Sequence, residues 1–175
     1  MQLVMICIRE ERPDDIEVIR RLNEKAFGQP AEANIVERLQ ENCPNLLSLV
    51  AIQADQVVGH ILFSPAWIEG DGKSMQGMGL APMAVLPEFQ RRGIGSLLVQ
   101  MGLEILENRS CPFVIVLGHP EYYPRFGFER ASLYGIRCQW KGVPDEAFMI
   151  RILDREEMKS ASGVARYRRE FDEAT

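Results

Sequence analysis

Apolar residues along the chain recur at two different periods, and these periods predict its elements. The opening run 3–8 is apolar and β-prone, which predicts a first strand. Asp14 is a good N-cap for a helix whose apolar face extends to Phe27. A shorter helix follows Pro30 and ends by Pro44. The chain therefore opens with one strand and two amphipathic helices.

The middle of the chain changes to β-rich runs separated by short polar turns. Runs 46–52 and 57–64 have hairpin spacing, and a second turn at 70–73 precedes a segment that begins near Met75. These runs predict three successive antiparallel strands.

Beyond Pro87 the apolar residues return to helical spacing, at Ile94, Leu97, Leu98, Met101 and Ile105. Run 113–117 is then apolar without alternation, as in a strand covered on both faces after a parallel crossover. Two β-prone pieces, around 132–140 and 147–153, precede a charged tail from about residue 154. This order predicts an α+β fold in a single domain of residues 1–175. We expect a mostly antiparallel sheet flanked by helices, with one parallel strand-helix-strand unit.

Composition narrows the choice of partners. A net charge of −5, from 20 basic and 25 acidic residues, argues against a protein that binds the nucleic-acid backbone. No apolar run approaches the roughly 20 residues that cross a bilayer, and no basic region precedes the apolar start. The four cysteines are far apart, and only two histidines are present, so we expect free thiols and no metal. These features predict a cytoplasmic globular protein without nucleic-acid or membrane partners.

The sharpest chemical signal is the turn before the predicted third helix, which reads Gln90, Arg91, Arg92, Gly93, Ile94, Gly95 and Ser96. At a helix start the first N–H groups lack partners within the helix and carry the positive end of its dipole, so they bind anions. The two glycines let the backbone approach an anion without a Cβ in the way. The two arginines add charge that can pair with phosphate oxygens. The pattern predicts a phosphate-binding turn.

Two other glycine motifs are excluded by particular residues. The dinucleotide pattern G-x-G-x-x-G fails because Leu98 stands at its third glycine, and antiparallel strands precede the turn. Gly72, Lys73 and Ser74 imitate the end of a P-loop, but Trp67 stands where the first glycine should be. That segment is predicted to be a hairpin turn.

With this turn the chain resembles the GNAT superfamily, the Gcn5-related N-acetyltransferases, whose signature is a strand followed by Q/R-x-x-G-x-G/A at the head of a helix. The matching segment is 83–96. Segment 122–128, which reads YYPRFGF, looks like that superfamily's Y-x-x-x-G-F element. The resemblance extends over roughly residues 1–153. The pairing of His119 and Pro120 with the second motif is most similar to the YhbS-like bacterial branch.

The resemblance implies a splayed sheet and an acetyl-CoA-dependent enzyme. The strand ending at Val85 and the strand 113–117 would diverge around a cleft for the pantetheine arm. The free backbone of Met83, Ala84 and Val85 would pair with that arm as though it were another strand, and the turn would take the pyrophosphate. The implied reaction is direct transfer of the acetyl group from acetyl-CoA to a primary amine on a small molecule or a peptide.

Tyr123 matches the tyrosine of the second motif, and by resemblance it is the general acid that protonates the leaving thiolate. A phenol with a pKa of about 10 stays protonated at neutral pH. Tyr122 is the alternative, if the local geometry turns its hydroxyl toward the cleft instead. A backbone N–H near Val85 would stabilise the oxyanion.

The general base is left open by the sequence. Members of the superfamily commonly use a carboxylate from the strand before the turn, and segment 78–85 contains none. The remaining candidates for the base are His119, Glu32, His60 and water. His60 shares its predicted strand face with apolar residues, which is typical of a core histidine. The missing carboxylate favours a rival function, a CoA- or acyl-CoA-binding sensor without turnover.

The acceptor, the acyl-chain preference and the oligomeric state have no motif in this chain. Trp67, Trp140 and segment 148–153 could form an apolar homodimer contact, and equally could belong to the core.

Overall fold

A computed structural model describes residues 4–174. Its α-helices are α1 Ile16–Phe27, α2 Ala31–Asn42 and α3 Ile94–Asn108. Its strands are β1 Ile6–Glu10, β2 Leu47–Gln53, β3 Gln56–Gly70, β4 Lys73–Val85, β5 Phe113–Leu117, β6 Glu129–Arg130, β7 Ile136–Cys138, β8 Phe148–Ile152 and β9 Gly163–Arg166. Short 3₁₀ segments lie at Pro13–Asp15, Pro87–Phe89, Tyr123–Phe126, Ala131–Tyr134, Asp145–Ala147, Glu157–Ser160 and Arg169–Ala174.

The first two helices form where the apolar spacing predicts them. α1 ends because Gly28 adopts a φ of 69°, a left-handed conformation from which its N–H donates to the Glu24 carbonyl at 2.9 Å. The stripe that includes Ile19 and Leu22 is buried, as the helical period requires.

The chain divides into two compact units. The first unit contains the chain up to Phe63, then Pro82–Gly102 and the chain from Arg169. The second contains Ser64–Ala81 and Leu103–Arg168. The prediction of a single domain stays a prediction.

In the first unit, β1 pairs antiparallel with β2, and β2 pairs antiparallel with β3. α3 packs closely on this sheet at Gly59, where an added Cβ would lie 3.0 Å from Ile94 and 3.1 Å from Leu98. The glycine therefore lets the helix that follows the turn approach the sheet backbone.

In the second unit, β4 pairs parallel with β5, and β5 pairs antiparallel with β8, which also pairs with β6. β9 pairs antiparallel with β3 and parallel with β7. The connection β4-α3-β5 is the predicted parallel strand-helix-strand unit. The predicted α+β class with mostly antiparallel strands is confirmed, and the short β7–β9 pair is a further parallel contact that the sequence did not predict.

The link between β3 and β4 is a hairpin turn. Asp71 and Gly72 have φ values of 51° and 73°, as a two-residue turn between twisted strands requires. Lys73 starts β4. The resemblance of this segment to a P-loop is therefore coincidental.

Two predicted boundaries differ from the structure. β1 runs from Ile6 through the charged residues to Glu10, because pairing with β2 depends on backbone groups rather than on apolar side chains; residue 3, the predicted start, lies outside the described residues. The charged tail from about 154 contains β9 and buries Ala165, Tyr167 and Phe171. Arg166 at the end of this strand and the arginines that follow it, Arg168 and Arg169, hide the buried residues among them in the sequence.

Candidate functional site

The turn between β4 and α3 has the backbone of an anion site. Leu97 N–H donates to the Gly93 carbonyl at 3.1 Å, and the N–H groups before it belong to the helix end, where a helix offers no carbonyl partner. Gly93 has a φ of 83°, and Arg91 adopts 63°, which is uncommon for a non-glycine residue. The first turn of α3 contains no acidic residue. The dipole end is therefore electropositive.

The space in front of this turn is open. A Cβ added at Gly93 would meet no atom within 4 Å among the described residues. Arg91 and Arg92 are exposed, and the Arg92 guanidinium carbon lies 5.4 Å from the centroid of the Phe89 ring, a cation–π distance. This stacking holds one cation beside the turn.

The end of β4 presents alternate backbone groups to its two edges. Leu86 N–H donates to the Val58 carbonyl of β3 at 2.9 Å. Neighbouring residues of an extended strand point their N–H groups in opposite directions, so Val85 and Met83 face the edge away from β3. The Gln90 amide donates to the Val85 carbonyl at 2.9 Å. An extended ligand on that edge would be offered the Val85 N–H and the backbone of Met83.

In the second unit, β5 leaves β4 while it stays bonded to β8. The β4–β5 register ends at Leu80 and Val116, whereas Leu117 still pairs with Phe148. One residue further on, Gly118 N–H donates to the Ala147 carbonyl at 2.9 Å. The hydrogen-bonded pairing of β4 with β5 therefore ends at Leu80 and Val116, before either strand ends.

Tyr123 lies at the end of β5. A Cβ added at Gly118 would lie 2.4 Å from its ring, so the ring packs directly on the end of β5. The ring also meets Tyr122 and Phe128 edge-on, at centroid distances of 5.1 Å and 5.6 Å. Tyr123 is only 7% exposed, and this burial raises the pKa of its phenol to about 12. The hydroxyl therefore stays protonated at neutral pH.

Tyr122, rather than Tyr123, lines an open cavity of about 530 Å³, together with His119, Pro120, Glu121 and Arg125. The Arg125 guanidinium carbon lies 4.6 Å from the Tyr122 ring centroid. Both tyrosines belong to the aromatic cluster, but Tyr122 also forms part of the cavity wall, whereas Tyr123 is buried.

His60 is a completely buried residue of the first unit. Its Nδ1 lies 3.2 Å from the Asn23 amide nitrogen, and its Nε2 lies 2.9 Å from Ser48 Oγ. Ser48 in turn donates to Glu11, whose other oxygen accepts from Gln40. Since Asn23 donates to Nδ1, the proton is on Nε2. Burial lowers the pKa of His60 to about 3, so the ring is neutral and belongs to the core.

The other two candidate bases lie on the surface of their units. Glu32, in the first turn of α2, accepts from the Gln29 amide at 2.9 Å and 3.2 Å. His119 is exposed and lines the cavity with Tyr122.

One residue at the end of the β4–β5 ladder was missed by the sequence analysis. The ring of Tyr167 packs on β4 at Gly79, where an added Cβ would lie 2.5 Å from it. This close packing gives a physical reason for a glycine at position 79, because any side chain there would collide with the ring. The alternation of apolar and basic residues over 165–168 was the available signal.

Within residues 4–174, no three His, Cys, Asp or Glu side chains are grouped closely enough to bind a metal ion. The helices of the same range are too short or too polar to span a bilayer. The four cysteines are free thiols, and Cys7 is exposed.

Comparison with known protein sequences gives matches over most of the chain. A family model described as an acetyltransferase (GNAT) domain matches residues 7–131. The uncharacterized N-acetyltransferase YhbS of Escherichia coli K12 is 35% identical over 168 residues, which cover 95% of this chain and 99% of that protein. The uncharacterized N-acetyltransferase YjhQ of the same strain is 44% identical over 117 residues, or 66% of this chain and 65% of that protein.

Solved structures agree with these matches. The crystal structure of E. coli YhbS in complex with CoA has a TM-score of 0.91 at 34% identity, and the alignment covers 98% of this chain and 94% of that one. A GNAT family acetyltransferase from Brucella melitensis in complex with acetyl-CoA has a TM-score of 0.78 at 34% identity, with coverage of 96% and 99%.

Proposed function

Because this chain belongs to the GNAT acetyltransferase family, we propose that it transfers the acetyl group of acetyl-CoA to a primary amine by direct attack. The observation that carries the proposal is the open, electropositive turn between β4 and α3, in which Gly93 and Arg91 have positive φ. The relatives that bind CoA and acetyl-CoA support the choice of co-substrate. The same family membership favours the cytoplasm as its location, and a homodimer stays a prediction.

The proposed binding residues divide into two groups. The turn before α3 binds the pyrophosphate, because the helix end and the exposed guanidinium groups both favour negative charge. Its residues are Gln90, Arg91, Arg92, Gly93, Ile94, Gly95 and Ser96. Met83 and Val85 offer backbone groups to the pantetheine arm, while Ala84 lies between them and points its backbone toward β3.

Acetyl transfer forms one bond and breaks another. The amine nitrogen bonds to the acetyl carbon, the carbon–sulfur bond breaks, and the sulfur takes a proton. Tyr123 supplies that proton in our proposal, since its phenol is held in the protonated form by burial. The N–H of Val85 or Met83 stabilises the developing oxyanion.

Proton transfer from Tyr123 needs a desolvated thiolate. A phenol with a pKa of about 12 is a weak acid toward a thiolate with the solution pKa of about 8.5. Burial also raises the pKa of a thiol. In the second unit it raises the pKa of Cys111 to about 11. A leaving sulfur that is buried in the same way has its pKa raised toward that of Tyr123, which favours the proton transfer.

Acetyl-CoA is expected to stabilise the folded protein. A ligand that binds only the native state adds RT ln(1 + [L]/Kd), or about 2.7 kcal/mol at a hundredfold excess over Kd. Thermal melts with and without millimolar acetyl-CoA measure this directly. An unchanged melting temperature would count against the whole assignment, and adenosine at the same concentration controls for non-specific effects.

The rival function is a CoA or acyl-CoA sensor without turnover. Two observations favour it: segment 78–85 contains no carboxylate, and the space beside Gly79 is filled by the Tyr167 ring. A sensor would give the same thermal stabilisation but no transfer to any amine. In the enzyme, His119 is the proposed proton acceptor for the amine, because it is exposed and lines the cavity next to Tyr122.

A further inference from the structure

Tyr167 lies at the end of the β4–β5 ladder, although it belongs to the segment that follows β9. Its hydroxyl oxygen is 3.4 Å from the Leu80 carbonyl oxygen and 3.3 Å from the Ile115 carbonyl oxygen. These carbonyls belong to different strands, and Leu80 is the last β4 residue in register with β5. The phenol therefore bridges the two strands at the end of their shared ladder.

The ring of Tyr167 is fixed on two sides. On one side it packs against the backbone of Gly79, and on the other it stacks on Trp140 with a centroid distance of 5.5 Å and an interplanar angle of 25°. Its own N–H donates to the Gln139 side-chain oxygen at 2.6 Å. Tyr167 is 6% exposed, so these contacts fix one position of the ring.

A bridge at this position controls where the pairing of the strands ends. Beyond Leu80 and Val116 the backbone groups of a parallel pair would continue to bond if the strands stayed together. A hydroxyl shared between one carbonyl of each strand occupies an acceptor on both and sets their spacing. Gly79 is needed for this arrangement, because a side chain there would push the ring out of place.

We propose that Tyr167 is a positioning residue for acetyl-CoA, which acts as a wedge at the end of the β4–β5 ladder and so sets the direction in which β4 continues to Met83 and Val85, the residues proposed to bind the pantetheine arm. This role rests on the proposed function. Tyr167 donates no proton to the substrate. Burial raises its pKa well above that of a free phenol, so the hydroxyl stays protonated and continues to donate to the carbonyls.

The Tyr167→Phe variant tests the wedge, because it keeps the ring and removes only the bridging hydroxyl. We expect the Kd for acetyl-CoA, measured by calorimetry, to rise about three- to tenfold, as the loss of one buried hydrogen bond allows. The Kd for adenosine 3′,5′-bisphosphate, the nucleotide end without pantetheine, should stay unchanged. A residue that only supports the fold would move both constants or neither.

Tyr134→Phe is the matched control. It removes a phenol from the same unit, one that donates to Glu129 at 2.6 Å on the surface. It should leave both Kd values unchanged. Gly79→Ala displaces the Tyr167 ring without altering its chemistry, and it should also weaken acetyl-CoA selectively.

Amide hydrogen exchange of the ligand-free protein separates this proposal from the proposed function. Tyr167→Phe should speed exchange in the last β4–β5 pairs, at Leu80 and Val116, relative to wild type and to Tyr134→Phe. If the wild type fails to bind acetyl-CoA, the proposed function is wrong, and exchange still tests the wedge. Unchanged exchange at these residues in Tyr167→Phe overturns the wedge. If the wild type binds acetyl-CoA, an unchanged Kd in Tyr167→Phe also overturns it.

Discussion

Replacing Tyr123 by phenylalanine is expected to lower kcat by about 10²- to 10⁴-fold, the usual cost of losing a general acid. The change removes only a hydroxyl, so the ring should keep its packing on Gly118 and its edge contact with Phe128. The Kd for acetyl-CoA should change little. Single-turnover kinetics with saturating acetyl-CoA would measure the chemical step without product release.

Tyr122→Phe is the internal control, because it removes the same group one residue earlier in the chain. Tyr122 lines the cavity that His119 also lines, whereas Tyr123 is buried in the aromatic cluster. If Tyr122→Phe loses turnover and Tyr123→Phe keeps it, the acid is Tyr122. If both variants keep it, solvent protonates the thiolate and neither tyrosine is catalytic.

The Gly95→Asp variant is expected to lose CoA binding while the protein stays folded. Gly95 is the second residue of α3, where a carboxylate interacts favourably with the helix dipole, so the helix should be as stable as before. The same carboxylate would occupy the end of the helix that is proposed to bind the pyrophosphate. Loss of two charge-assisted hydrogen bonds at about 1.5–3 kcal/mol each weakens binding by more than about a hundredfold.

Gly95→Asn separates charge from size, since its side chain has the same shape without the negative charge. Calorimetry with CoA should give an affinity between those of wild type and Gly95→Asp, and circular dichroism should give three similar melting curves in the absence of ligand. If the folded Gly95→Asp variant binds CoA as tightly as wild type, the pyrophosphate lies elsewhere.

The parts of the site that depend on neighbouring residues were predictable from the sequence. The turn at 90–96 was recognised because the glycines, the arginines and the apolar period of α3 lie within one short segment. α1, α2 and β5 follow from periods that can be read in one stretch of chain. The core assignment of His60 followed in the same way from the apolar character of its strand.

The parts that depend on distant residues were not predictable. Tyr167 and Leu80 are 87 residues apart, and no spacing in the sequence indicates that the phenol of one reaches the carbonyl of the other. The hydrogen-bond partners of His60 are Ser48 on β2 and Asn23 on α1, and partners brought together by tertiary structure leave no local pattern in the sequence. β9 was missed because it is only four residues long and lies among charged residues, with Arg166 at its end and Arg168 and Arg169 just after it.

The central claim, that this family member is an acetyltransferase for a primary amine, is tested most directly by transfer itself. Acetyl-CoA would be incubated with the protein and a panel of primary amines, including small amines, amino-acid derivatives and peptides with free N-termini or lysines. Free CoA thiol would be followed by colour reaction and the acetylated product by mass spectrometry. We predict thiol release that requires one class of amine, equals the acetylated product in amount, and falls in Tyr123→Phe. Tight acetyl-CoA binding with no amine-dependent release across the panel would contradict the account and favour the sensor.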